Sequence, residues 1–182
     1  MKLLLSFLLI LGLTTICVAQ ENPDYLLWNS DHALTVDDFG IKKSDPSYMC
    51  FAQFTIEHYV SGFDFMAKNF NKKVKNLMII SASWIDTTQN VELSLKYQQT
   101  LFDISEIYAR KLRKELKENR KQIAKGFAIV NEISARNSAE FAKRRLEYDS
   151  DTEYGKNTQR QSLWDQKIKQ ELLELADYDY NK

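Results

Sequence analysis

Apolar residues in this chain follow two different rhythms. Between Met49 and Val60 they alternate, placing Cys50, Ala52, Phe54, Ile56, His58 and Val60 on one side and Phe51, Gln53, Thr55, Glu57 and Tyr59 on the other. A period of two is that of a half-buried strand. Asn76 to Ile85 is a second, shorter apolar run and reads as another strand, while the lysine-rich stretch Lys68 to Lys75 between them reads as a solvated connection. From about Asn90 the rhythm changes. Leu93, Tyr97, Leu101, Ile104, Tyr108 and Leu112 recur at three- and four-residue steps, which predicts one helix to about Arg120, with Glu106 placed to support Arg110 one turn on. Gly126 allows a break, and Asn131 to Leu146 predicts a second helix. Thr158 with Gln161 has the form of a capping box opening a third, whose stripe is Trp164, Ile168, Leu172 and Leu175. The tail from Tyr178 onward is expected to fray.

Both prolines, Pro23 and Pro46, fall in the first quarter of the chain, and everything after Ser47 is free of them. The implied architecture is α+β: a small twisted sheet, antiparallel or mixed, packed on the long helix and two further helices. No internal repeat or abrupt change of composition marks a second domain, so residues 21–182 are expected to form one.

The first twenty residues have the form of a secretory signal: Lys2 supplies a positive start, Leu3 to Leu13 an apolar run, and Cys17-Val18-Ala19 a small-residue exit. The apolar run falls short of the roughly 20 residues a spanning helix needs, and no second one follows, so no integral membrane segment is expected after signal removal. Export to the periplasm or the cell exterior is the implied destination. Cys17 invites a lipid-anchor reading, but Thr14-Thr15-Ile16 ahead of it lacks the Leu and the small residue that such a site calls for. With the signal gone, Cys50 is the only cysteine left, and no internal disulfide can form. Lys and Arg together number 25, as do Asp and Glu, a balance that argues against a nucleic-acid partner or an anionic membrane surface.

Common catalytic constellations are missing from the sequence. There is no glycine-rich phosphate loop, no G-x-S-x-G elbow and no H-E-x-x-H. The two histidines, His32 and His58, are too far apart to be a helical metal pair. His58 continues the apolar side of its strand and reads as a core-edge histidine, His32 lies in a polar loop, and Cys50 shares the apolar side with Phe54 as a small buried hydrophobe. Asp37-Asp38 reads as a turn or an oxygen-rich cation site, although adjacent carboxylates point in different directions and are usually solvated.

The run from Leu95 to Lys114, LKYQQTLFDISEIYARKLRK, resembles the helix of the bacterial family catalogued as domain of unknown function 922, zincin-like peptidases whose helix reads L-x-H-E-Q-G-H-F-D-I-A-E. Trp28 and the stretch Leu34 to Gly40 (LTVDDFG) look like that family's L-T-W-x-D-F-x-G opening. Ser83-Trp84 resembles its S-W pair, and Tyr148 to Gly155 (YDSDTEYG) its later Y-D-x-x-T-x-H-G. The resemblance runs through nearly the whole chain beyond the signal, in the same order. It implies a zincin-like domain and places Tyr97 and Leu101 where two zinc-binding histidines would stand, Gln98 where the glutamate base would stand, and Tyr154 where a later histidine ligand would stand.

None of these four residues suits that chemistry. Zinc takes imidazole, thiolate or carboxylate donors at about 2.0 to 2.3 Å, and a leucine offers none. Gln98 cannot accept a proton as a carboxylate does, and without the metal no bound water is acidified. The resemblance therefore implies a degenerate member with a vestigial site, no catalytic residues, no metal and no cofactor. Its expected role is a binding or envelope-associated module whose partner is a peptide or another envelope protein. The alternative from a different class is a hydrolase with a relocated site, built on Asp103 and Glu106 with Tyr97 or Tyr154 as acid or base. Beside Arg110 and Lys111, those two carboxylates read as surface ion pairs.

Overall fold

The computed structural model describes residues 24–44, 50–60, 64 and 68–182. The expected signal segment over residues 1–20, with Cys17, lies outside them. Among the described residues four strands precede four α-helices: β1 (Tyr25–Leu27), β2 (Ile41–Lys43), β3 (Cys50–His58), β4 (Val74–Asp86), α1 (Val91–Glu118), α2 (Arg120–Ile123), α3 (Ala128–Thr152) and α4 (Thr158–Glu174). The fold is α+β, with strands in front and helices behind.

Strand β4, thirteen residues long, is the spine of the sheet. On one edge it pairs antiparallel with β1 (Leu26 opposite Met78) and then parallel with β2 (Ile41 opposite Trp84). Gly40 sits at the junction, where its N–H donates to Ile80 O at 3.1 Å. A Cβ there would fall 2.6 Å from that carbonyl oxygen, so only glycine fits. On the other edge β3 runs antiparallel, from Cys50 opposite Ile85 to His58 opposite Val74, with a slip of register between Phe51 and Gln53. Ser83 fills the slip: its hydroxyl accepts from Gln53 N–H (3.1 Å) and donates to Ile79 O (2.6 Å). The expected alternation holds, for Ala52 and Phe54 are buried on the side that meets α1.

Helix α1 is the centre of the molecule, touching β3 and β4 as well as α3 and α4. Leu101, Ile104 and Ile107 are fully buried, and Phe102 stacks on Phe54 with ring centroids 4.8 Å apart. Because α1 is covered on several sides, its charged residues are covered too. Glu106, expected on the surface, is buried and accepts from Arg110 Nε (3.0 Å) and Arg113 Nη1 (2.7 Å). Arg113, the largest fully buried side chain, also donates through Nε and Nη2 to Val74 O. Among the described residues no helix is long and apolar enough to cross a membrane.

Three local expectations need correction. The lysine-rich connection is not wholly solvated, since Phe70 and Asn71 are buried in a 3-10 turn and Val74 opens β4. The tail is held rather than frayed. Asn71 Nδ2 donates to the carbonyls of Asp177 (3.1 Å) and Asp179 (2.9 Å), Arg113 Nη1 donates to Tyr178 O (2.9 Å), and Arg110 pairs with the Asp179 carboxylate. Finally, α4 is capped by Asn157, whose side chain accepts from Arg160 N–H at 3.1 Å. Gln161 has turned inward, because its amide has better partners in the core than at an exposed helix end.

Candidate functional site

Tyr97, Gln98 and Leu101 share the first half of α1, and all three are buried. The segment Tyr148 to Gly155 returns to meet them. Tyr148 stacks on Tyr97 at 5.2 Å with rings 11° from parallel, and it makes a T-shaped contact with Trp164 of α4 at 5.3 Å. Helix α3 then ends in three successive left-handed residues, Glu153 (φ 51°), Tyr154 (φ 57°) and Gly155 (φ 84°). Thr152 supports that turn, donating through its hydroxyl to Tyr148 O (2.7 Å) and accepting from Gly155 N–H (3.2 Å). The turn presses Gly155 against Tyr97, where an added Cβ would lie 2.7 Å from the tyrosine's own. Tyr154 is thrown outward, with 64 % of its surface exposed. Of the four residues singled out from sequence, then, three are gathered in the interior, and the approach to them is made by Gly155 rather than Tyr154.

The hydroxyls of the two stacked tyrosines at this centre are both occupied from within. Tyr97 Oη donates to the Asp149 carboxylate, which Arg145 also approaches at 3.8 Å. Burial, and after it the bond to Asp149, pushes the Tyr97 phenol far above its ordinary range. Burial raises Tyr148 likewise, while its hydroxyl lies 2.6 Å from Gln161 Oε1. Burial also holds the Asp149 carboxyl above the usual carboxylate range, against the opposing effects of Tyr97 and Arg145. Both phenols are thus fixed as neutral donors, and phenolate ligation of a metal is disfavoured. Gln161 Nε2 continues inward to Thr100 Oγ1 (2.9 Å) and Asp165 Oδ1 (2.7 Å).

Gln98 is different. Its Nε2 donates to Cys50 Sγ at 3.3 Å, and the Cys50 thiol donates to Ser94 O at 3.6 Å, but Gln98 Oε1 is buried without a hydrogen-bond partner. Burial raises the Cys50 thiol above its ordinary range, so it is poorly suited to be a nucleophile. A zinc ion does not fit these residues: Leu101 has no donor, Gln98 offers an amide, and the one phenol that points inward is engaged by a carboxylate. Among the described residues no three of His, Cys, Asp and Glu stand together in a way that could hold a metal.

The remaining candidates are dispersed. His32 is exposed and lies 3.1 Å from Asp38, while His58 meets Ser134 Oγ at 2.9 Å through Nε2 and is lowered below its ordinary pKa by burial. Asp38 itself closes the 3-10 turn Val36–Asp38, accepting from Thr35 N–H (2.7 Å) and Thr35 Oγ1 (2.9 Å). Asp103 and Glu106 do not form a working pair, since Glu106 is locked between two guanidinium groups. Asp103 instead faces the loop of residues 28–34, where its Oδ1 accepts from Trp28 Nε1 (2.8 Å) and Gln99 Nε2 (2.9 Å).

Sequence reasoning did not find Asp149 or Gln161 as partners of the two tyrosines. Its one available signal was Gln161 itself, a polar residue three positions before Trp164 on a helix with few buried residues. Set against protein-family models, curated proteins and solved structures, the chain returns no match.

Proposed function

We infer that the chain is an exported, non-catalytic domain of zincin-like build that works by binding, with a peptide or another envelope protein as its partner. The observation that carries this reading is the filled centre of α1. Positions 97, 98 and 101, where the resemblance expects two ligands and a base, hold a stacked tyrosine, a buried amide and a core leucine. The residues that carry the resemblance elsewhere have framing roles: Phe39 and Gly40 at the strand junction, Ser83 at the register slip, and Thr152 and Gly155 at the turn onto Tyr97. Frame without reactive centre is what a binding descendant of a peptidase needs.

Among the described residues β3 pairs only with β4, which leaves its far edge without a strand. An extended peptide can add to such an edge through main-chain hydrogen bonds alone. Purified protein, dialysed against zinc, is expected to retain no stoichiometric metal and to cleave no peptide library, and an envelope extract passed over it is expected to yield a saturable partner. Zinc-dependent cleavage would overturn the reading, as would recovery of nothing above background.

A further inference from the structure

Along a different face of α1 runs a groove that the filled centre does not use. It lies between α1, α4 and the loop of residues 28–34, in two adjoining lobes of about 480 and 440 Å³. The lobes share Asp103 and Gln99, so they form one groove with a common floor. Its walls are mostly aliphatic, built from Leu34, Leu95, Ile168 and Leu172, with Trp28 in the second lobe. Volume and lining are those of a site for a small organic molecule.

The floor carries an unfinished polar group. Both hydrogen bonds to the half-buried Asp103 arrive at Oδ1, from Trp28 and Gln99, and Oδ2 receives none among the described residues. The two donors are neutral, so they orient the carboxylate without compensating its charge. Three other charges around the groove are already matched. Lys96 Nζ lies 3.1 Å from Asp165, and Arg110 is held by Glu106 and Asp179. Glu92 and Lys169 stand exposed at the rim. What the groove lacks is a cationic hydrogen-bond donor at Asp103 Oδ2, set against apolar walls.

We propose that this groove binds a small amphipathic amine, with its ammonium on Asp103 Oδ2 and its hydrocarbon body against Leu34, Leu95, Ile168 and Leu172. The ammonium supplies both the hydrogen bond and the charge that the floor is missing. Carboxylates and alcohols of the same body fit the walls but not the floor. The site stands on residues outside the Tyr97 centre and does not depend on any kinship with peptidases.

Calorimetric titration of the protein with n-hexylammonium, n-hexanol and n-hexanoate tests it. Saturable one-to-one binding of hexylammonium is expected, about tenfold or more tighter than either analogue. Asp103→Asn keeps Oδ1 for Trp28 and Gln99 while turning Oδ2 into a donor, and is expected to lose about tenfold in affinity for the amine alone. Lys169→Gln removes the rim cation and is expected to leave binding undiminished. In the unmodified protein the Trp28 indole N–H resonance should shift on titration, a readout independent of whether any variant folds. Absence of saturable binding, equal affinity for the three head groups, an unmoved Trp28 signal, or equal losses in Asp103→Asn and Lys169→Gln would each overturn the proposal.

Discussion

The two halves of α1 bury polar groups in opposite ways. Toward its start, Tyr97 and Gln98 enter the core as neutral groups, stacked, hydrogen-bonded and in one case left wanting a partner. Two turns on, Glu106, Arg110 and Arg113 enter it as ions that satisfy one another and the backbone. A buried neutral group left without one contact costs about 1–3 kcal/mol, whereas a buried ion deprived of its counter-charge costs about 3–5 kcal/mol. The first half can therefore tolerate replacement that the second cannot.

The sharpest way to break this contrast is Glu106→Ala, which strands the buried Arg113 guanidinium and leaves Arg110 with Asp179 alone, and is expected to cost about 3–5 kcal/mol in chemical denaturation. A loss under about 1 kcal/mol would mean the ions rehydrate easily and the two halves do not differ. Next in size is Gly155→Ala. Its left-handed backbone and the Tyr97 side chain both oppose a methyl group, with an expected cost of about 2–3 kcal/mol and loss of the tyrosine stack by near-ultraviolet dichroism. An unchanged spectrum would show that the turn does not hold Tyr97.

Tyr97→Phe keeps the stack and removes the donor to Asp149, for an expected loss of about 1–2 kcal/mol. It also carries a pH signature. The folded phenol holds its proton far above the pH of about 10 at which an unfolded tyrosine ionises, so its contribution is intact below that pH and lost as pH rises above it. The Phe variant should thus lose stability less steeply in alkali, and parallel curves would contradict the burial argument. The smallest effect runs the other way. Gln98→Leu removes the unpartnered carbonyl along with one weak contact to sulfur, and is expected to stabilise by up to about 1 kcal/mol. A marked destabilisation would show that the Cys50 contact matters more than the orphaned oxygen costs.

Periodicity located β3, α1, α3 and α4 because each has a face that must be dry, written in the spacing of its own residues, and a continuous apolar run located β4. What periodicity could not show was how many sides of α1 are covered. Glu106 and Arg110 one turn apart make the same pattern on a wet surface and in a sealed interior, and only the later helices and tail decide between them. The same holds for Tyr97, whose burial follows its stripe but whose partner Asp149 lies on another helix with no local sign of the pairing. Gln161 had the spacing of a capping box with Thr158, yet a hydroxyl on α1, Thr100, drew its amide inward. The groove over Asp103 was unreadable for a like reason, since it belongs to three elements at once.

The clasp on residues 177–179 has a consequence for the order of events in synthesis. Arg113 and Asn71 find their last carbonyl partners there, and Arg110 a second carboxylate, so the middle of the chain waits for residues translated more than sixty positions later. A ribosome-bound chain lacking them should remain open to protease, and resistance should appear late and abruptly as length increases.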